Sequence, residues 1–179
     1  MCGRFHFGIV PKQISERVKA LNLVFKTGEI FPTDQVLCVI PSGSKVDLAV
    51  MSWGIKAKSL LINAKLETID ERYTFSKIKD NRCAIICDGF YEWDKDKSKY
   101  LINFETKYMY LACIFNDNNE LVILTKDADE QFKKIHDRVP VIMDKNEMLD
   151  YIHGRDEIIT NKKLKLTLLD KEISLFDVQ

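Results

Sequence analysis

The chain has 179 residues, 46% hydrophobic and 30% charged, and its 27 lysines and arginines balance 27 aspartates and glutamates. That length suits one well-buried domain spanning 1–179, and the zero net charge excludes a protein that holds a polyanion through a global basic field. No apolar run approaches the roughly 18 residues of a membrane span and no charged-then-apolar leader precedes the first strand, so a cytoplasmic protein is expected.

The first element begins at the terminus. Gly3-Arg4-Phe5-His6-Phe7-Gly8 alternates Arg4 and His6 against Phe5 and Phe7, which predicts a half-buried strand over 4–8. A helical period follows over 11–21. Apolar or alternating runs predict strands over 36–40 and 47–53, a helix fits 70–79, and strand-like runs return over 82–91, 100–104, 108–115 and 120–125. Asn116-Asp117-Asn118-Asn119 reads as the hairpin loop between the last two. Helices are expected over 128–135 and 144–152, the second capped by Asp144, with a final strand over 164–169. The expected fold class is α+β, a mainly antiparallel, barrel-like β-sheet with a few flanking helices, since closure removes exposed edges.

The sequence holds five cysteines, and Cys38, Cys83, Cys87 and Cys113 lie within apolar runs as small buried hydrophobes would. Cys83 and Cys87 are four apart, the wrong spacing for a zinc or redox pair, so no metal, cofactor or disulfide framework is expected. Cys2 differs. Were Met1 removed, Cys2 would carry an α-amine of pKa about 7.7–8.0 beside a thiol of pKa about 8.5, both partly reactive near neutral pH. Such an aminothiol captures an aldehyde twice: the amine forms an imine, and the thiol then closes a five-membered thiazolidine.

Three other segments place polar groups where a pure core would exclude them. Asn63 follows an apolar stretch in Ile62-Asn63-Ala64-Lys65-Leu66-Glu67-Thr68, and reads either as a turn residue or as an amide orienting an amine or carbonyl. Glu92 stands between Tyr91 and Trp93 after a β-run ending in Asp88-Gly89. It is either an exposed edge residue or a desolvated carboxyl raised toward acid–base use, while Trp93 either stacks on a base or packs. His136 precedes Asp137-Arg138-Val139-Pro140, where it is either structural or an imidazole held at a surface by the proline-restricted turn.

In order along the chain, these motifs resemble the SOS-response-associated peptidase (SRAP) family of abasic-site-processing proteins. The matching stretches are Met1-Cys2-Gly3-Arg4-Phe5, Pro32-Thr33, Trp53-Gly54, Asn63-Ala64-Lys65-Leu66-Glu67-Thr68, Arg82-Cys83 through Asp88-Gly89-Phe90-Tyr91-Glu92-Trp93, and His136-Asp137-Arg138-Val139-Pro140. The resemblance implies autoproteolytic loss of Met1, binding of single-stranded or junction DNA that carries an abasic site, and a crosslink through Cys2 to the ring-opened sugar. It implies catalytic roles for Cys2 as nucleophile, Asn63 in positioning its amine, Glu92 in shuttling protons, and His136 in polarising the sugar oxygens or supporting that proton transfer.

Arg4, Lys65 and Arg138 adjoin those residues and are expected to bind phosphates; Trp53 and Trp93 are expected to stack on bases, with Pro32 and Thr125 also at the DNA. Lys65 stands where the family carries Arg, Glu29-Ile30-Phe31 replaces a more polar stretch before the Pro-Thr turn, and the Pro-x-Trp that commonly follows Trp-Gly is missing. Two other readings compete: a cysteine (auto)peptidase using Cys2 and His136, and a single-stranded DNA-binding domain without chemistry. The DNA-bound protein would be nucleoid-associated.

Overall fold

The computed structural model describes residues 2–8, 10–104, 108–155 and 164–171, with backbone alone at 170–171; Met1, and with it the expected processing step, lies outside them. Strand β1 (Arg4–Phe7) leads to helix α1 (Lys12–Ala20), β2 (Gly28–Ile30) and the long hairpin of β3 (Gln35–Ser42) and β4 (Lys45–Trp53). Short strands β5 (Ile55–Lys56), β6 (Leu60–Leu61) and β7 (Asn63–Lys65) precede the one-turn helix α2 (Tyr73–Ser76). There follow β8 (Arg82–Cys87), β9 (Gly89–Trp93), β10 (Ser98–Asn103), β11 (Met109–Phe115) and β12 (Glu120–Asp127). The order closes with β13 (Arg138–Pro140), β14 (Ile142–Met143), helix α3 (Lys145–Ile152) and β15 (Lys165–Lys171).

The expected barrel forms. β12 pairs with β4, β4 with β3, β3 with β8, β8 with β11 and β11 with β12 again, so these strands close a ring. Closure gives every strand of the ring a neighbour on both sides. Most pairings are antiparallel, but β12 runs parallel to both β4 and β7, which hangs the Asn63 segment on the ring. A second sheet, in the order β15-β10-β9-β1-β2, packs its inner face onto the same core. Alternation decides which face that is: Phe5, Phe7 and Phe90 point inward and are at most 1% exposed, while Arg4, His6 and Trp93 face outward.

The predicted 82–91 strand is two strands in two sheets. Asp88 makes the corner: its N–H donates to the His6 carbonyl at 2.8 Å, and its Oδ2 accepts from the Gly8 N–H at 2.5 Å and lies 3.1 Å from His6 Nδ1. Gly89 then passes so close to β10 that a Cβ there would sit 2.7 Å from the Ile102 carbonyl oxygen. No continuous β-run crosses that corner. The corner brings β9, and Glu92 with it, alongside β1.

Residues 128–135 form successive turns rather than the predicted helix. Asp129 takes the amide hydrogens of Phe132 and Lys133 on its carbonyl and that of Phe132 again on Oδ1, a local competition that favours turns. Phe132 is buried against Phe90 at 5.9 Å, which anchors the segment and delivers His136 to the rim. The 70–79 helix shrinks to Tyr73–Ser76. The Asp144 cap is present as a full capping box, with Glu147 N–H to Asp144 Oδ1 at 2.9 Å and Asp144 N–H to Glu147 Oε2 at 2.8 Å. Among the described residues no helix is long and apolar enough to cross a membrane, and no cluster of His, Cys, Asp or Glu could hold a metal ion.

Candidate active site

Cys2 precedes β1, and the β1–β9 register sets Arg4 opposite Tyr91, so the terminal residues lie along Glu92 and Trp93. Its thiol is fully buried and donates weakly to the Arg4 carbonyl at 3.8 Å. Asn63 opens β7 opposite Ile123 of β12, and from there its Nδ2 donates to the Cys2 carbonyl at 2.9 Å. Asn63 therefore grips the backbone of Cys2. Its Oδ1 is buried without a hydrogen-bond partner among the described residues, an acceptor suited to an amine or hydroxyl hydrogen.

Glu92 projects inward from β9 and is 5% exposed, flanked on the strand by the outward-facing Tyr91 and Trp93. Burial raises its carboxyl above the ordinary glutamate range, against the pull of nearby His136. Burial also pushes the Cys2 thiol far above the ordinary cysteine range, and the neighbouring Glu92 charge adds to the rise. With residue 1 in place the thiol is therefore held protonated at neutral pH. His136 Nδ1 accepts the Arg138 N–H at 3.0 Å, so the neutral imidazole carries its proton on Nε2. Cys2, Asn63, Glu92 and His136 thus converge from four separated parts of the chain.

The proposed DNA contacts divide. Lys65 is exposed at the end of β7, Pro32 and Trp93 are half-buried at the surface, and Arg4 lies between the Phe31 and Trp93 rings at 4.7 and 4.9 Å. Trp53 is 0% exposed: its Nε1 donates to the Ile62 carbonyl at 3.0 Å and its ring packs on Phe5 at 5.2 Å. It has no face to offer a base. Instead it braces β1 against the residue before Asn63. Its strand end is tied to the Pro-Thr turn, where Thr33, held at φ +80°, donates its N–H to the Trp53 carbonyl at 2.7 Å. Gly54 follows at φ +120°, a conformation open to glycine, with Leu60 filling the space where a Cβ would stand.

Thr125 and Arg138 also turn inward. Thr125 is fully buried, with Oγ1 3.4 Å from the Ala64 carbonyl, and so ties β12 to β7 instead of meeting DNA. Arg138 pairs through both terminal nitrogens with Glu67, at 3.0 and 2.8 Å, and reaches Asp127 at 2.5 Å and the Thr125 carbonyl at 2.7 Å. With its side chain 12% exposed, its charge is spent within the protein. Arg138→Met is therefore expected to lower stability by about 1.5–3 kcal/mol, as for hydrogen bonds to charged groups. A urea melt checks this; an unchanged midpoint with weakened DNA binding would restore the phosphate role.

The sequence reading missed Glu67, whose bidentate grip on Arg138 spans 71 residues, and Lys99, which lies opposite Trp93 in the β9–β10 pair. Lys99 was masked by its setting, the charged stretch Asp94-Lys95-Asp96-Lys97-Ser98-Lys99, which resembles a solvated turn. Its Nζ lies 4.3 Å from the Tyr91 ring and donates to Glu29 Oε1 at 3.0 Å.

The chain belongs to the SOS response associated peptidase (SRAP) family, whose sequence pattern matches residues 1–179. It is 30% identical over 171 residues to the abasic site processing protein YoaM of Bacillus subtilis, spanning 80% of this chain and 75% of that one. To the abasic site processing protein HMCES of Xenopus tropicalis it is 26% identical over 162 residues, spanning 66% of this chain and 48% of the relative. A solved protein from Bordetella bronchiseptica shares the fold at TM-score 0.74 and 16% identity, over 94% of this chain and all of that one (100%).

Proposed function

We propose that this protein captures abasic sites in single-stranded DNA, forming a thiazolidine between Cys2 and the ring-opened sugar once Met1 has been removed. The observation that carries the reading is the meeting of Cys2, with its backbone held by Asn63, and the raised carboxyl of Glu92. The names of the relatives, all abasic site processing proteins, support it.

The chemistry follows from the groups present. The closed hemiacetal sugar opens to the aldehyde when a base takes the proton of its hydroxyl and an acid returns one to the ring oxygen, work suited to Glu92 with His136 beside it. The Cys2 amine adds to the aldehyde carbon and water leaves, giving an imine. The sulfur then bonds to the imine carbon while the thiol proton passes, through Glu92, to the nitrogen. The balance is one aminothiol plus one aldehyde giving one thiazolidine and one water. A thiol kept protonated until that last step suits ring closure, where a nearby base removes the proton as the bond forms. It does not suit the peptidase reading, which needs a thiolate at rest.

The test is incubation of protein beginning at Cys2 with a single-stranded oligonucleotide carrying one abasic site, followed by denaturing electrophoresis and intact mass. The expected product survives heating and weighs the sum of protein and oligonucleotide less one water. Its absence from fully processed protein overturns the proposal.

A further inference from the structure

On the outer face of the β15-β10-β9-β1-β2 sheet, two cations share one carboxylate oxygen. Arg4 Nη1 reaches Glu29 Oε1 at 3.3 Å, and Lys99 Nζ reaches the same oxygen at 3.0 Å. Aromatic rings hold both cations from other directions. The Arg4 guanidinium lies between Phe31 at 4.7 Å and Trp93 at 4.9 Å; the Lys99 ammonium lies 4.3 Å from Tyr91 and 5.5 Å from Trp93. Such contacts hold a cation in place independently of its counter-ion. The side chains of Arg4, Glu29 and Lys99 are 29%, 34% and 17% exposed, so solvent reaches the cluster at its acidic centre.

We infer that Arg4 and Lys99 form a seat for one DNA phosphate, which Glu29 fills with its own carboxylate until a strand displaces it. A non-bridging phosphate oxygen makes the same demand as a carboxylate oxygen, an acceptor between two charged donors. Arg4 is two residues from Cys2, so the phosphate seated there belongs to a nucleotide beside the lesion. Glu29 acts as an internal competitor. It cancels one of the two charges and lowers the sequence-independent affinity for intact strands, so that residence on DNA depends on capture of the aldehyde. This inference rests on the DNA-binding reading above.

The test measures binding of an intact single-stranded oligonucleotide by the full chain across salt concentrations, for the parent, Glu29→Gln, Lys99→Gln and the double variant. Glu29→Gln is expected to bind about two- to fivefold more tightly at low salt, the size of one partly exposed ion-pair interaction. Its log–log salt slope should steepen, by at most about 0.7, because the seat meets the strand with one more uncompensated charge. Lys99→Gln should bind more weakly than the parent, and the double variant should return near it. Unchanged or weaker binding by Glu29→Gln, while the parent binds intact strands and crosslinks abasic ones, overturns this inference alone. A parent that neither binds nor crosslinks overturns both readings.

Discussion

Cys2→Ser protein, processed to expose residue 2, is expected to lose the heat-stable adduct altogether while still giving a product that borohydride traps. The substitution keeps the α-amine, so the imine still forms. What it removes is the sulfur that closes the ring, and a hydroxyl is the far weaker nucleophile, so the stable product should fall by at least about 100-fold. The fold should tolerate the change. The Asn63 bond goes to the backbone carbonyl, which serine retains, and a hydroxyl can donate to the Arg4 carbonyl that the thiol faces. Parallel reactions with and without borohydride, read by intact mass, check the result. A heat-stable adduct of undiminished yield from the serine variant would show that the bond does not involve sulfur.

Glu92→Gln is expected to slow crosslinking by about 10²–10⁴-fold, the range for a positioned acid–base group, with affinity for intact DNA unchanged. Glutamine fits the buried space of the 5% exposed side chain and keeps its hydrogen-bonding oxygen, but accepts no proton. The pH dependence separates this role from a structural one. As a base, Glu92 must be ionised, so the parent rate should rise with pH through a carboxyl value above the ordinary glutamate range, and the variant should lack that limb. Stability runs the other way. A carboxyl whose folded pKa is raised binds its proton more tightly in the native state, so the parent loses stability as pH climbs from the unfolded value through the folded one. Glutamine escapes that loss, and the variant should melt no lower than the parent at neutral pH. Equal losses of DNA binding and crosslinking would instead make Glu92 a structural residue.

The strands were largely legible in the sequence because alternation reports one buried face, as Phe5 and Phe7 do against Arg4 and His6. Ring closure was legible only as a preference for removing edges; the parallel β12–β4 and β12–β7 pairings depend on partners far apart in the chain. The 82–91 run reads as one strand because its apolar character continues through the corner. What breaks it is a tertiary feature, the capture of Asp88 by Gly8 and His6. For the site, residue type was informative and direction was not. Trp53 and Trp93 look equally able to stack, yet one is sealed against Phe5 and the other borders Arg4. Arg138 reads as a basic residue beside a histidine until Glu67 and Asp127 take its charge.

The hydrogen bond from Asn63 to the Cys2 carbonyl engages an atom that the proposed reaction never alters. Across the proposed sequence from aminothiol to imine to ring, the nitrogen exchanges a hydrogen for carbon and the sulfur loses its hydrogen, but that carbonyl enters and leaves as the same amide oxygen. The bond is therefore equal in reactant, transition state and product, and it governs occupancy rather than speed. It works as a fixed mooring: in the proposed reaction residue 2 stays tied up at one berth from start to finish.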